Sequence, residues 1–157
     1  LQKSLVKTQQ IAVNVSAGYD AVARGPGMFM IDATPAPGQS VAALENAIRR
    51  EIQRIQKEGI SEAELARVKA QVIAGEVYQR DSLFYQAMQL GEYAIAGLPP
   101  EALARRVDKL RAVTAQEVQS AAQQWLQDDQ LSVAELVPQA LKPQASRAAV
   151  PGVRHVN

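Results

Sequence analysis

Between residues 11 and 17 the chain alternates: Ile11, Val13, Val15 and Ala17 share one parity, and Ala12, Asn14 and Ser16 share the other. A period of two over this length predicts a half-buried strand. Gly18-Tyr19-Asp20 and Gly25-Pro26-Gly27 punctuate the connection that follows. Met28 to Thr34 predicts a second strand, and Pro35-Ala36-Pro37-Gly38 stops it. Two strands joined by a short loop pair most simply as an antiparallel meander.

From Ser40 the period changes. Val41, Leu44, Ile48, Ile52 and Ile55 step by three or four, the stripe of an amphipathic helix, with Ser40 as its N-cap and Gly59 where a left-handed C-terminal residue belongs. Ser61-Glu62-Ala63-Glu64 reads as a capping box opening a second helix with Leu65, Val68 and Val72 inward, running to Tyr78 or Gln79. Asp81 or Ser82 caps a third helix that turns Leu83, Ala87, Leu90 and Ala94 inward and ends at Gly97. Pro99-Pro100 suits the first turn of a fourth helix, with Leu103, Val107 and Leu110 on its face. Thr114-Ala115-Gln116-Glu117 is a second capping box, opening a fifth helix with Val118, Ala121, Trp125 and Leu126 inward. After the Asp128-Asp129 turn, Leu131, Val133, Glu135 and Val137 alternate as a last strand.

The predicted fold class is therefore α+β: a small antiparallel sheet of about three strands, covered on one face by about five helices. Residues 1–138 form the domain. Residues 139–157, rich in Pro, Ala, Gln and Arg without a stripe, form an extended or disordered tail. Leu1 to Val6 reads as the last turns of a helix already under way. Three strands are few for five helices, so the expectation is a partial domain whose other sheet strands lie upstream of Leu1.

Composition narrows the chemistry. The 157 residues include one histidine, His155, and no cysteine, at a formal net charge of +1. A catalytic zinc takes three side-chain ligands, and a serine or cysteine nucleophile needs a positioned base, most often histidine. A neutral chain with 4% aromatic residues offers neither a basic face nor a stacking platform, so no nucleic-acid partner is expected. No run of about 18 apolar residues occurs, so no membrane-spanning helix is expected.

Each candidate site is accounted for by a structural role. His155 beside Arg154 has no second ligand spaced to help it and reads as a solvated tail residue. Glu62, Glu64 and Asp81 could share acid and base roles, but capping explains Glu64 and Asp81. Gly25-Pro26-Gly27 is a turn, since no helix follows to cradle a phosphate. Arg49, Arg50, Glu51, Arg54, Lys57 and Glu58 form the solvated side of their helix. Tyr78, Phe84, Tyr85 and Tyr93 gather around the third helix as core packing. The sequence thus assigns no catalytic, cofactor-binding or metal residue.

Several segments in this order resemble one family. Ser4-Leu5-Val6 through Gln10-Ile11-Ala12-Val13, then Ser16-Ala17-Gly18-Tyr19-Asp20 and Ala33-Thr34-Pro35-Ala36-Pro37-Gly38, look like the pitrilysin/insulinase family of inverzincin metallopeptidases. So do Tyr78-Gln79-Arg80-Asp81-Ser82-Leu83-Phe84, with Gln86-Ala87, Leu90-Gly91 and Tyr93 behind it, and Val113-Thr114-Ala115-Gln116-Glu117-Val118. The resemblance covers Leu1 to about Pro138 and is to the later part of the C-terminal, inactive domain.

The resemblance implies the partial inverzincin fold and a zinc-dependent endopeptidase as parent. Zinc and its H-x-x-E-H helix would then sit on an N-terminal catalytic domain of the same chain. It also implies a peptide substrate, a second family subunit, and a periplasmic or exported setting. Family members often hold substrate with an arginine and, seven residues on, a tyrosine. The matching positions here are Val6 and Val13, which cannot donate a hydrogen bond. The alternative implied reading is a structural or assembly protein of the same fold, with no peptidase activity in its parent.

Overall fold

The computed structural model describes residues 1–139. It opens on a wide, π-helical segment, Gln2–Thr8, whose one buried side chain is Leu5. The chain must then reverse into a strand. Gln10 does so with a left-handed φ of 51°, while the Ile11 amide donates back to the Leu5 carbonyl at 3.0 Å. Strand β1 (Ala12–Tyr19) follows and pairs antiparallel with β2 (Phe29–Pro35), matching Val15 with Ala33, Ala17 with Ile31 and Tyr19 with Phe29. The pairing is irregular between Ala12 and Asn14, where Val13 has no partner of its own. Such a bulge locally breaks the ladder and bends the strand.

Six α-helices follow: α1 (Val41–Glu58), α2 (Glu62–Gln79), α3 (Leu83–Ile95), α4 (Pro100–Ala104), α5 (Arg106–Ala112) and α6 (Ala115–Trp125). Their ends follow the sequence closely. Ser40, Ser61, Ser82 and Thr114 each accept a hydrogen bond from the amide three residues on. At Thr114 the Glu117 carboxylate returns the bond, completing the expected capping box. Gly59 takes a φ of 73° and its amide closes α1 on the Ile55 carbonyl, a conformation that disfavours any side chain.

α1 lies on the sheet through β2, and α6 packs on α1. Leu5, Ala12, Val15, Leu44 and Ala47 form the buried cluster, joined by Ile11, Ile31, Ala33 and Ile48. Glutamines weld α6 to the end of α1. The Gln56 side-chain amide donates to the carbonyls of Ala122 (3.1 Å) and Leu126 (2.8 Å), while Gln119 and Gln123 donate to the Gln56 carbonyl at 3.0 and 2.7 Å. A second set of contacts joins α2 to α5, α3 to α4, and α4 to α5.

The sheet has two strands, not about three. Residues 131–139 alternate in sequence but form no ladder, and Leu131, Val133, Leu136 and Val137 are exposed. A strand exists only where a neighbour takes its backbone hydrogen bonds, and none of the described residues does so here. The α-helices number six rather than about five; α1 contacts the sheet through β2, and the π-helical segment Gln2–Thr8 contacts it through β1. The expected fourth helix is two, broken at Arg105. Several expected inward positions also rotate outward. On α3, Leu83 and Leu90 are exposed while Gln89 and Tyr93 are buried. On α2, Val68 and Val72 are exposed behind buried Leu65. On α6, Ala122 is buried in place of Ala121, and Trp125 is exposed.

Among the described residues nine apolar side chains are buried, whereas twenty large apolar side chains are exposed. That ratio leaves much apolar surface unsealed, because burial is what stabilises a fold against its conformational entropy. The tail expected at residues 139–157 lies, from residue 140 onward, outside the described residues.

Candidate functional site

The sheet has two unlike faces. The side carrying Val15, Ala17, Ile31 and Ala33 turns toward α1 and the core cluster. The opposite side carries Asn14, Ser16, Asp32 and Thr34, all exposed, with Met30 at one end. Its side chains are mostly short and hydrogen-bonding, and they need no apolar cover. An antiparallel sheet commonly keeps one face on the core and one in water, and this polar side is the candidate surface for contact with a ligand.

The Val6 and Val13 positions lie on either side of the helix-to-strand passage, in the π-helical segment and on β1. Val6 is half-buried against the core cluster, while Val13 is 58% exposed on the bulge. Neither side chain carries a polar atom, so these two positions offer a peptide no side-chain hydrogen bond.

The passage is anchored to α1 by charge. The Ser4 hydroxyl donates to the Glu51 carboxylate at 2.6 Å, and the Gln9 amide donates to Ser4 Oγ at 2.8 Å. The Ser4 hydroxyl, and then the Arg54 guanidinium, hold the Glu51 carboxyl below the usual carboxylate range despite its partial burial. Arg49 is likewise engaged, by Glu45 at 2.7 Å and by Asp128. The α1 charges are therefore a partly paired outer side, with no cluster poised for proton transfer.

The remaining sequence candidates do not converge. Glu62 and Glu64 are exposed in the first turn of α2, where Ser61 Oγ accepts from the Glu64 amide at 3.2 Å. Asp81 is exposed in the α2–α3 turn, and Ser82 is the cap. Gly25 has a φ of 98° in the β1–β2 connection, as a turn requires. Of the four aromatics expected to pack together, Tyr93 is buried and Tyr85 half-buried, while Tyr78 and Phe84 are exposed at 76% and 79%. His155 and Arg154 lie outside the described residues.

Among the described residues the donors do not fit a zinc centre. Among the described residues no group of three or more His, Cys, Asp or Glu side chains is placed to hold a metal ion. No helix among them is long and apolar enough to cross a membrane.

Residues 1–72 match the family model for the peptidase M16 inactive domain. No curated protein matches the chain. Two solved structures share its fold. One is a protease from Helicobacter pylori, at 19% identity and a TM-score of 0.75, covering 83% of this chain and 31% of that one. The other is the inactive peptidase domain of a candidate zinc protease from Bordetella parapertussis, at 21% identity and a TM-score of 0.76, covering 92% and 75%. The chain thus spans about a third of the Helicobacter protein and three quarters of the Bordetella domain. The resemblance to an inactive C-terminal domain is borne out, and with it the α+β class.

Proposed function

We propose, taking residues 1–72 as an M16 peptidase inactive domain, that this chain is part of the non-catalytic C-terminal domain of a zinc-dependent endopeptidase. In this reading it bounds the chamber that encloses the peptide and contributes subunit contacts. The observation that carries the reading is the two-faced sheet. One face is committed to α1, and the other presents Asn14, Ser16, Asp32 and Thr34. Such a wall tolerates water when empty and can hydrogen-bond a peptide backbone when full. The exposed Val68 and Val72 on α2 and Leu83 and Phe84 on α3 support a role in which further protein covers those stretches.

Hydrolysis belongs to another domain in this reading, which is supported by the lack, among the described residues, of three or more His, Cys, Asp or Glu side chains placed to hold a metal. The N-terminal catalytic domain of the same chain is the expected zinc carrier, and the parent is periplasmic or exported. A second family subunit is the expected partner, since Val6 and Val13 cannot supply the substrate-holding pair. The test is a peptidase assay of the purified chain, with and without added zinc, against an unstructured peptide. No cleavage is expected under either condition. Zinc-dependent cleavage that a chelator abolishes would overturn the proposal.

The same two valines favour a second reading, a structural or assembly protein of this fold whose parent lacks peptidase activity altogether. The sequence upstream of Leu1 separates the two. An H-x-x-E-H helix there supports the enzyme, and its absence supports the scaffold.

A further inference from the structure

Away from the sheet, helices α2, α3 and α4 enclose an open groove of about 450 Å³. That lies within the range of small-ligand sites. Its polar groups can be accounted for one at a time. Glu76 pairs at 3.1 Å with Arg106 on α5, so its charge is cancelled within the fold. The Gln89 side chain, buried, donates from Nε2 to the Tyr85 hydroxyl oxygen at 2.8 Å. That fixes Tyr85 as an acceptor toward Gln89 and leaves its own O–H proton to be donated elsewhere. Gln86 Nε2 donates to the Arg80 carbonyl at 2.6 Å and so ties the start of α3 to the end of α2.

Arg80 remains. Its guanidinium forms no ion pair among the described residues, and Glu76 is the only carboxylate among the residues lining the groove. The rest of the wall includes Leu90 and Leu103. The groove therefore combines an uncommitted cation and a phenol donor with an aliphatic wall. A planar fork of donors beside apolar surface fits a carboxylate next to a hydrocarbon side chain.

We propose that this groove binds the free C-terminal carboxylate of a short peptide ending in an aliphatic residue. Arg80 and the Tyr85 hydroxyl take the carboxylate, and Leu90 and Leu103 take the side chain. The proposal rests on the peptidase reading for its ligand: hydrolysis creates a new carboxyl terminus, which an uncut substrate lacks at that point. The groove would thus distinguish product from substrate without taking part in the chemistry.

The test uses the whole 157-residue chain, isotope-labelled for NMR, titrated with N-acetyl-Ala-Leu as the free acid, as its C-terminal amide, and with N-acetyl-Glu-Leu amide. The free acid is expected to shift the amides of Tyr85, Gln89, Leu90 and Leu103 in a saturable way. The plain amide should bind about tenfold more weakly, as loss of a charge-assisted contact implies. Arg80→Gln should lose a similar factor, whereas Arg67→Gln, exposed on α2, should not. Equal binding of acid and amide, undiminished binding by Arg80→Gln, or no shifts in the groove would overturn the proposal. Equal binding of the Glu-containing amide would overturn it too, by assigning the groove to internal acidic residues. None of these results bears on whether the chain cleaves peptide, so failure here is distinguishable from failure of the peptidase reading.

Discussion

Leu5→Ala should damage this fold more than its position near the chain start suggests. Leu5 has no exposed surface and sits among Ala12, Val15, Leu44 and Ala47, with Ala33 alongside. Truncation removes three carbon atoms from the core, a transfer loss of about 2.4 kcal/mol at ~0.8 kcal/mol each. A cavity term adds to this when the surroundings cannot collapse. Here several neighbours are alanines, one-carbon side chains held on a paired strand and a helix, so little can move inward. A total of about 3–4 kcal/mol follows, in the middle of the range for buried leucines.

The assay is urea unfolding followed by circular dichroism. With a slope of ~1.5 kcal/mol per molar, the midpoint should fall by about 2–3 M, or the variant should be unfolded from the start. Leu83→Ala is the control, because Leu83 is 83% exposed and its truncation should stay within about 0.5 kcal/mol. Hydrogen exchange adds a spatial check. Amides of β1 and β2 should lose protection in Leu5→Ala before those of α2 and α5, which pack on each other. Equal effects of the two substitutions would refute the assignment of the core to the helix-to-strand passage.

Two further outcomes are expected. Gln56→Ala removes both hydrogen bonds to the C-terminal end of α6 and should cost about 1–2 kcal/mol in thermal or urea unfolding, while Gln53→Ala, exposed on the same helix, should be near neutral. Glu51 has its folded-state pKa lowered, so its contribution to stability is present above the ordinary carboxylate range and is lost as pH falls through the lowered value. Thermal melts stepped from neutral to acid pH should show Ser4→Ala and wild type converging at low pH, and a gap that persists unchanged would contradict the Ser4–Glu51 contact.

The local signals in the sequence were those that local chemistry decides. The serine and threonine caps, Gly59 and the alternation of β2 are enforced within a few residues, and the structure keeps them, whereas the bulge at Val13 reverses the expected parity of β1 there, burying Ala12 and exposing Val13. What failed depends on partners. Residues 131–137 alternate as a strand does, yet alternation describes a half-buried surface and cannot supply the neighbour that makes a ladder. On α3, apolar residues occur nearly all round, so leucines at 83 and 90 were no better guides to the inward side than Gln89 and Tyr93. The π-helical turn and the left-handed Gln10 left no compositional trace. The polar sheet face was half legible: Asn14 and Ser16 marked one side of β1, but which residues of β2 joined them required the register.

The role of that face as a wall beside peptide can be measured directly. In the parent protein with substrate bound, a photoreactive residue at Ser16 should crosslink to the peptide, whereas the same residue at Arg67 should not. Crosslinking from position 67 and none from position 16 would place the peptide elsewhere and contradict the proposed wall.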